Sequence, residues 1–235
     1  MFTARRTGKS PEIVNVAGKF MELDKLTTQL CVTEEAKITA YNIRYQAYTT
    51  VGYNPLCTSG LFTDPFDAEP NNFTFLLKEG TKPVATVRAS VLHRPMGWTQ
   101  VPCKGGFEPE FALLEQEYDT IVEMGRLAVR PDVRGLASLA PLALFCCIYT
   151  LDKRFGRTAL VCGSSKKHRR FYQRLGMKSL CDFAPRPNTA IDLTLMAKTL
   201  DLEEFIESAG AHLDEATIRR LIPPFPHVSE RRETS

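Results

Sequence analysis

Thr120-Ile121-Val122-Glu123-Met124-Gly125-Arg126-Leu127-Ala128-Val129-Arg130-Pro131-Asp132-Val133-Arg134-Gly135 decides the fold. Its first ten residues have the aliphatic, β-branched content of a strand. Pro131 has no N–H to give a ladder and stops it. From Leu136 to Leu151 apolar residues recur at helical spacing. Strand, tight turn and helix thus follow one another. They leave main-chain N–H groups and a helix start at the C-terminal end of the strand, a geometry that can receive a phosphate or a pantetheine arm. Glu123 and Arg126 sit inside this apolar strand, and such groups are costly to bury unless they are paired or used.

Outward from this stretch the chain alternates helix and strand signals. On the N-terminal side, Phe20 to Val32 reads as a first strand. Thr33 then caps a helix with Glu34 and Glu35 in its first turn; the helix carries Ile38, Tyr41, Tyr45 and Tyr48 on one face, bears Arg44, and stops before Gly52. Tyr53 to Asn72, with three prolines and the acids Asp64 and Asp67, is a loop long enough to suspect function. A hairpin follows, Phe73–Lys78 and Val84–Leu92 about Gly80-Thr81-Lys82, with Arg88 in mid-strand. A short helix over Phe111 to Tyr118 leads into the Glu123 strand. On the C-terminal side, Thr158–Cys162 is a buried strand. Gly163-Ser164-Ser165 breaks it and caps a helix over Lys166 to Leu175, which ends at Gly176. Met177–Phe183 and Ala190–Met196 are two last strands, and two short helices follow, near Leu202–Ala209 and Glu215–Leu221. We therefore expect a loose lead over residues 1–19, one α/β domain over 20–197, and a helical extension and tail over 198–235.

Length and charge narrow the classes. At 235 residues the chain is expected to be one large domain or one domain with extensions. It has no run of about 18 apolar residues, so no membrane span is expected. Its N-terminus has no secretory apolar region, and a cytoplasmic protein is the expectation. The seven cysteines form no Cys-x-x-Cys, which suits reduced core thiols and no metal site. Lys153 to Arg174 holds eight Lys or Arg and no Asp or Glu, so it carries +8 and the rest of the chain −5, giving the net +3. A local basic face of this kind wants an acidic partner. Interleaved surface aromatics and a recognition motif for nucleic acid are lacking, so a phosphate-bearing donor or an acidic carrier protein suits it better.

Two stretches carry a resemblance. One is Glu123 to Leu142. The other runs from Ala159-Leu160-Val161 to Phe171-Tyr172-Gln173-Arg174-Leu175-Gly176-Met177 and is similar to the strand and helix ending in Phe-Tyr-x-x-Leu-Gly-Phe of the GNAT acyltransferase superfamily. The resemblance implies a GNAT-like (acyl-CoA N-acyltransferase) fold, a mixed, mostly antiparallel sheet flanked by helices. One departure stands out: after Arg134, Ala137 and Leu139 occupy places where GNAT acetyltransferases have Gly and Gly or Ala to close on the coenzyme A pyrophosphate. Ala137 cannot take a positive φ cheaply. A donor without a pyrophosphate there, acyl carrier protein, fits better. The order Arg44, Tyr48, Asp64, Asp67, Arg88, Glu123, Arg126 also resembles that of acyl-homoserine-lactone synthases and N-acyl amino acid synthases. Tyr53-Asn54-Pro55 stands where the lactone synthases usually carry a tryptophan, which together with the Phe-Tyr-x-x-Leu-Gly ending favours the N-acyl amino acid synthases.

The resemblance implies roles residue by residue. Glu123 is the base, or the ligand of the acceptor ammonium; otherwise it pairs with Arg88 or Arg126. A base is useful because an amino acid's ammonium must lose a proton before it attacks a thioester. Tyr172 is the acid that protonates the leaving thiolate; otherwise it packs on the sheet. Arg44, Arg88 and Arg126 with Asp64 and Asp67 bind the acceptor or form a structural network among themselves. Glu123 and Arg126 face opposite sides of a regular strand, and Gly125 between them marks a bulge that re-aims one of them. Leu127, Ala128 and Val129, with Arg134, Gly135, Leu136 and Ala137, hold the acyl donor, in a slot opened by splaying from strand 158–162. Lys166, Lys167, Arg169 and Arg170 are a carrier-docking face or a solvated helix face. Phe73, Phe75, Leu142 and Phe145 line an acyl tunnel or are plain core. No bound cofactor is expected beyond the phosphopantetheine-linked donor, on acyl carrier protein or coenzyme A. The expected partners are acyl carrier protein and a small amine or amino acid. Three rival functions are a lactone synthase, an acetyl-coenzyme A acetyltransferase, and a non-catalytic acyl-ligand sensor.

Overall fold

The computed structural model describes residues 13–16, 19–22, 25–52, 58–133, 157–186 and 191–200. The helix expected from Leu136, the turn residues Arg134, Gly135, Leu136 and Ala137, the tunnel candidates Leu142 and Phe145, Tyr53-Asn54-Pro55 and the C-terminal helices lie outside them.

Ten strands are described: β1 Ile13–Val16, β2 Lys19–Glu22, β3 Leu26–Leu30, β4 Asn72–Glu79, β5 Lys82–His93, β6 Thr120–Val129, β7 Thr158–Ser165, β8 Lys178–Ser179, β9 Ala184–Pro185 and β10 Asp192–Thr199. β1 and β2 form a separate hairpin, so Ile13–Val16 are paired residues inside the stretch expected to be a loose lead, and Phe20 to Val32 is divided between two strands. The other eight make one sheet in the order β3-β4-β5-β6-β7-β10-β8, with β9 also on β10. Only β6 and β7 run parallel; every other pairing in the sheet is antiparallel. The sheet is thus mixed and mostly antiparallel, as expected.

The expected helix after Thr33 is α1, Glu34–Thr49, and the Thr33 hydroxyl accepts from the Ala36 N–H at 3.3 Å. Its buried face differs from the expectation. Ala36, Ala40, Ile43, Arg44 and Ala47 face inward, while Ile38 is 49% exposed. Small residues let the helix lie close on Leu76 and Ala128, and of the expected face Tyr41 and Tyr48 pack, half-buried, at the margin of this contact. The second helix, α2 Glu108–Glu117, sets Phe111 and Leu114 on Leu92, Ile121 and Val161. Facing residues of paired strands share a side, so the register puts Leu76, Arg88, Leu92, Ile121, Glu123 and Gly125 on one face of the sheet. α1 covers one part of that face and α2 another, with Arg88 and Glu123 between them.

β7 continues through Gly163, Ser164 and Ser165, so these residues extend the strand and do not break it. Their pairing with Leu195, Thr194 and Leu193 of β10 outweighs their weak strand propensity. The helix that follows, α3, is only Arg169–Arg174, and its N-cap His168 makes no side-chain capping bond. Met177–Phe183, read as a strand, pairs only at Lys178–Ser179. No helix among the described residues is long and apolar enough to cross a membrane.

Candidate active site

The parallel pairing of β6 with β7 runs from Thr120↔Thr158 to Glu123↔Val161 and stops, although both strands continue, to Val129 and Ser165. The expected splay is therefore present, and Glu123 stands at its apex. Leu127, Ala128 and Val129 lie on the stretch of β6 beyond it.

The expected bulge is also present, with a different residue at its centre. Arg88 faces Gly125 and Thr86 faces Ala128, so β6 carries one extra residue there. The left-handed conformation belongs to Arg126, with φ 54°, and not to Gly125. The extra residue reverses the alternation, which brings Arg126 to the side of Arg88 and Glu123.

There it joins a ladder of charges. Arg44 Nη1 donates to both oxygens of Asp67 at 2.8 and 3.0 Å, and its Nη2 donates to Thr74 Oγ1 at 3.0 Å. Arg88 Nη1 donates to Asp67 Oδ1 at 2.9 Å and to Asp64 Oδ1 at 2.8 Å. Arg126 Nε donates to Asp64 Oδ2 at 2.9 Å, and its Nη2 donates to the same oxygen. Both acids lie on a single 3-10 turn, Pro65–Ala68 with Asp64 as its cap; the Asp64 carboxylate accepts from the Phe66 N–H and the Asp67 carboxylate from the Asp64 N–H. The residues read as substrate-binding or as a network do form the network. Burial pushes the Asp64 carboxyl up, but the Arg88 and Arg126 guanidiniums outweigh it and hold it down at about 2. Three guanidiniums meet two carboxylates, and the surplus charge ends at Arg126, the most exposed of the three. Phe62 lies under that guanidinium, 4.9 Å from ring centre to carbon, and Tyr48 meets Phe62 edge-on.

Glu123 is buried at 7% exposure. Its Oε2 accepts from the Cys103 N–H at 2.7 Å, so it is not tied up in a direct ion pair with Arg88 or Arg126. Burial pushes its carboxyl above the ordinary range; the bond from Cys103 and the more distant charges of Arg88 and Arg126 pull the other way. Tyr172, on α3, is half-buried with its hydroxyl turned inward against the Cys162 thiol and near Tyr48. Burial raises its phenol well above the ordinary value, with Cys162 adding to the effect. Cys162 alternates with Val161 along β7 and so belongs to the face opposite Glu123; acid and base candidates flank the split sheet without touching.

Lys166, Lys167, Arg169 and Arg170 are exposed in the turn and helix directly after β7. Lys166 and Arg169 both sit over the Phe183 ring, at 5.7 and 6.0 Å. Phe73 and Phe75 are buried on the sheet face opposite Glu123, as core. Sequence reasoning had no signal for Cys103 or Phe62, which occupy loops and meet Glu123 and Arg126 from distant parts of the chain.

The family model described as "N-acyl amino acid synthase FeeM" matches residues 39–199. The chain belongs to the N-acyl amino acid synthase FeeM family. Its fold is that of the GNAT acyltransferases, and it is an acyltransferase of this group. Among solved structures it is similar to FeeM, an N-acyl amino acid synthase from uncultured soil microbes, at 18% identity and TM-score 0.61, over 78% of this chain and 94% of that one. BjaI, a coenzyme A-dependent acyl-homoserine-lactone synthase, matches at 14% identity and TM-score 0.58, over 87% and 95%. An acyl-CoA N-acyltransferase from Pseudomonas aeruginosa matches at 12% identity and TM-score 0.50, over 74% and 97%. No curated protein matches the chain.

Proposed function

We propose that this protein transfers a medium or long acyl chain from the phosphopantetheine thioester of acyl carrier protein to the amine of an amino acid. The observation that carries the reading is the position of Glu123, a buried carboxylate with a raised pKa at the residue where β6 and β7 part. An extended arm laid in the split can pair with β6 beyond Glu123, roughly 20 Å of strand from Met124 to Val129. Its thioester then ends beside the carboxylate.

In the reaction the acceptor nitrogen attacks the thioester carbonyl, and a C–N bond forms as the C–S bond breaks. Glu123 takes the proton from nitrogen, for which a pKa lifted towards neutrality suits it better than an ordinary carboxylate. The leaving thiolate takes a proton from Tyr172, whose raised pKa keeps the phenol protonated at neutral pH. N–H groups of β6 freed where it parts from β7, next to Glu123, stabilise the developing oxyanion, and those along Leu127, Ala128 and Val129 hold the amides of the pantetheine arm. Arg126 is the member of the charge ladder open to the acceptor's carboxylate, and Asp64, Asp67, Arg44 and Arg88 hold it in place.

Two features support a carrier protein as donor: Ala137 and Leu139 in the turn where coenzyme A's diphosphate would seat, and four exposed cations beyond the end of β7. The similarity to BjaI supports a second reading, a lactone synthase supplied by coenzyme A thioesters. Incubation with acyl carrier protein thioesters, acyl-coenzyme A and an amino acid mixture, read by mass spectrometry, separates them. An N-acyl amino acid formed from the carrier thioester is expected. A lactone supports the second reading, and consumption of acetyl-coenzyme A alone overturns both.

A further inference from the structure

Glu123 lies among charged and titratable groups from four elements: Arg88 on β5, Arg126 at the bulge, Cys162 on β7, and Cys103 in the loop between β5 and α2. Among the described residues it is Cys103 that hydrogen-bonds the carboxylate. Its N–H donates to Oε2 at 2.7 Å, and its thiol lies beside the same carboxylate. The other oxygen, Oε1, lies over Gly125, only 3.6 Å from where a Cβ there would stand. Gly125 is on the stretch of β6 that has parted from β7. The loop is itself braced: Arg186 stacks on Phe107 at 4.1 Å and donates to the Gly106 carbonyl at 2.8 Å.

We propose that Cys103 is the positioning residue for Glu123, its N–H and thiol gripping one side of the carboxylate so that Oε1 is turned along Gly125 into the split. The inference rests on the reading of Glu123 as base. A donor to the carboxylate stabilises its charged form, so losing one raises the pH at which the group ionises. Cys103→Ala removes the thiol and keeps the N–H. Cys103→Ser keeps a side-chain donor of similar size.

The test follows the acid limb of the kcat profile together with an infrared titration of the buried carboxyl band, assigned by its loss in Glu123→Gln. In Cys103→Ala both are expected to move up by about 0.5 to 1 pH unit, and in Cys103→Ser to return to within a few tenths of the parent. Ionisation unmoved in Cys103→Ala, or moved equally in Cys103→Ser, overturns the proposal. Should Glu123→Gln stay active while the infrared titration still moves with Cys103→Ala, the base reading falls and the positioning stands. An inactive Glu123→Gln with an unmoved titration sinks the positioning alone.

Discussion

Arg126 reaches Asp64 from a backbone conformation with φ 54°, the one non-glycine residue among those described to have a positive φ. That conformation costs roughly 1–2 kcal/mol for an L residue, and it persists because the ion pair and the bulged register both need it. Arg126→Gly should remove the ion pair and the strain together, whereas Arg126→Ala removes only the ion pair. Urea unfolding should find the glycine variant more stable than the alanine variant by about 1 kcal/mol. On the proposed function, both should raise the KM for an amino acid acceptor.

Among the described residues Asp67 is the one carboxylate paired with Arg44, whose side chain has no exposure, and it also receives Arg88. Asp67→Ala strands a buried guanidinium and should cost roughly 3–5 kcal/mol, which an unfolding midpoint will show.

Asp64 predicts a pH dependence. Its carboxyl is held at about 2 in the fold against an ordinary 3.8, so the folded state favours its charged form. The stability it contributes is complete above about pH 4 and is lost as the pH falls towards 2. The destabilisation caused by Asp64→Asn should shrink over that window in denaturant titrations; a penalty independent of pH would contradict the ion-pair account.

Glu123 has the opposite sign. Its carboxyl is raised by burial, so above the ordinary range the charged form costs stability. Glu123→Gln should therefore melt no lower than the parent at pH 7, with any gain disappearing at acid pH. Its turnover should fall by about 10²–10⁴-fold. Full activity would make Glu123 structural.

Lys166 and Lys167 stand exposed beside the mouth of the split, with Lys166 over Phe183. Exchanging both for Glu should raise the KM for an acyl carrier protein thioester and leave that for a short pantetheine thioester unchanged. On the proposed function, added salt should raise the parent's KM for the carrier thioester and shrink the difference. Equal effects on the two substrates would argue for a solvated surface.

Local patterns carried much of this fold. The aliphatic run from Thr120 to Val129 closed by Pro131, the Gly80 turn between alternating strands and the Thr33 cap each act within a few residues, and each appears where expected. Even the pairing of the three arginines with the two aspartates was readable as an alternative, because a guanidinium set in an apolar strand is costly to bury without a carboxylate partner. The face of α1 was not readable, since tyrosines and alanines compete for the core through the fit of the neighbouring surface and not through periodicity. Gly163 to Ser165 read as a break for the same reason: β10 supplies their partners from some thirty residues away.

Chain order alone therefore settled the central strands, the Gly80 turn and the Thr33 cap, because propensity, proline geometry and capping are short-range effects. Tertiary contact decided the rest: that Arg126 rather than Gly125 takes the left-handed turn, that Cys103 grips Glu123, and that β6 and β7 separate after Glu123. Each of these depends on register between distant segments, where a shift of one residue moves a side chain to the other face of the sheet.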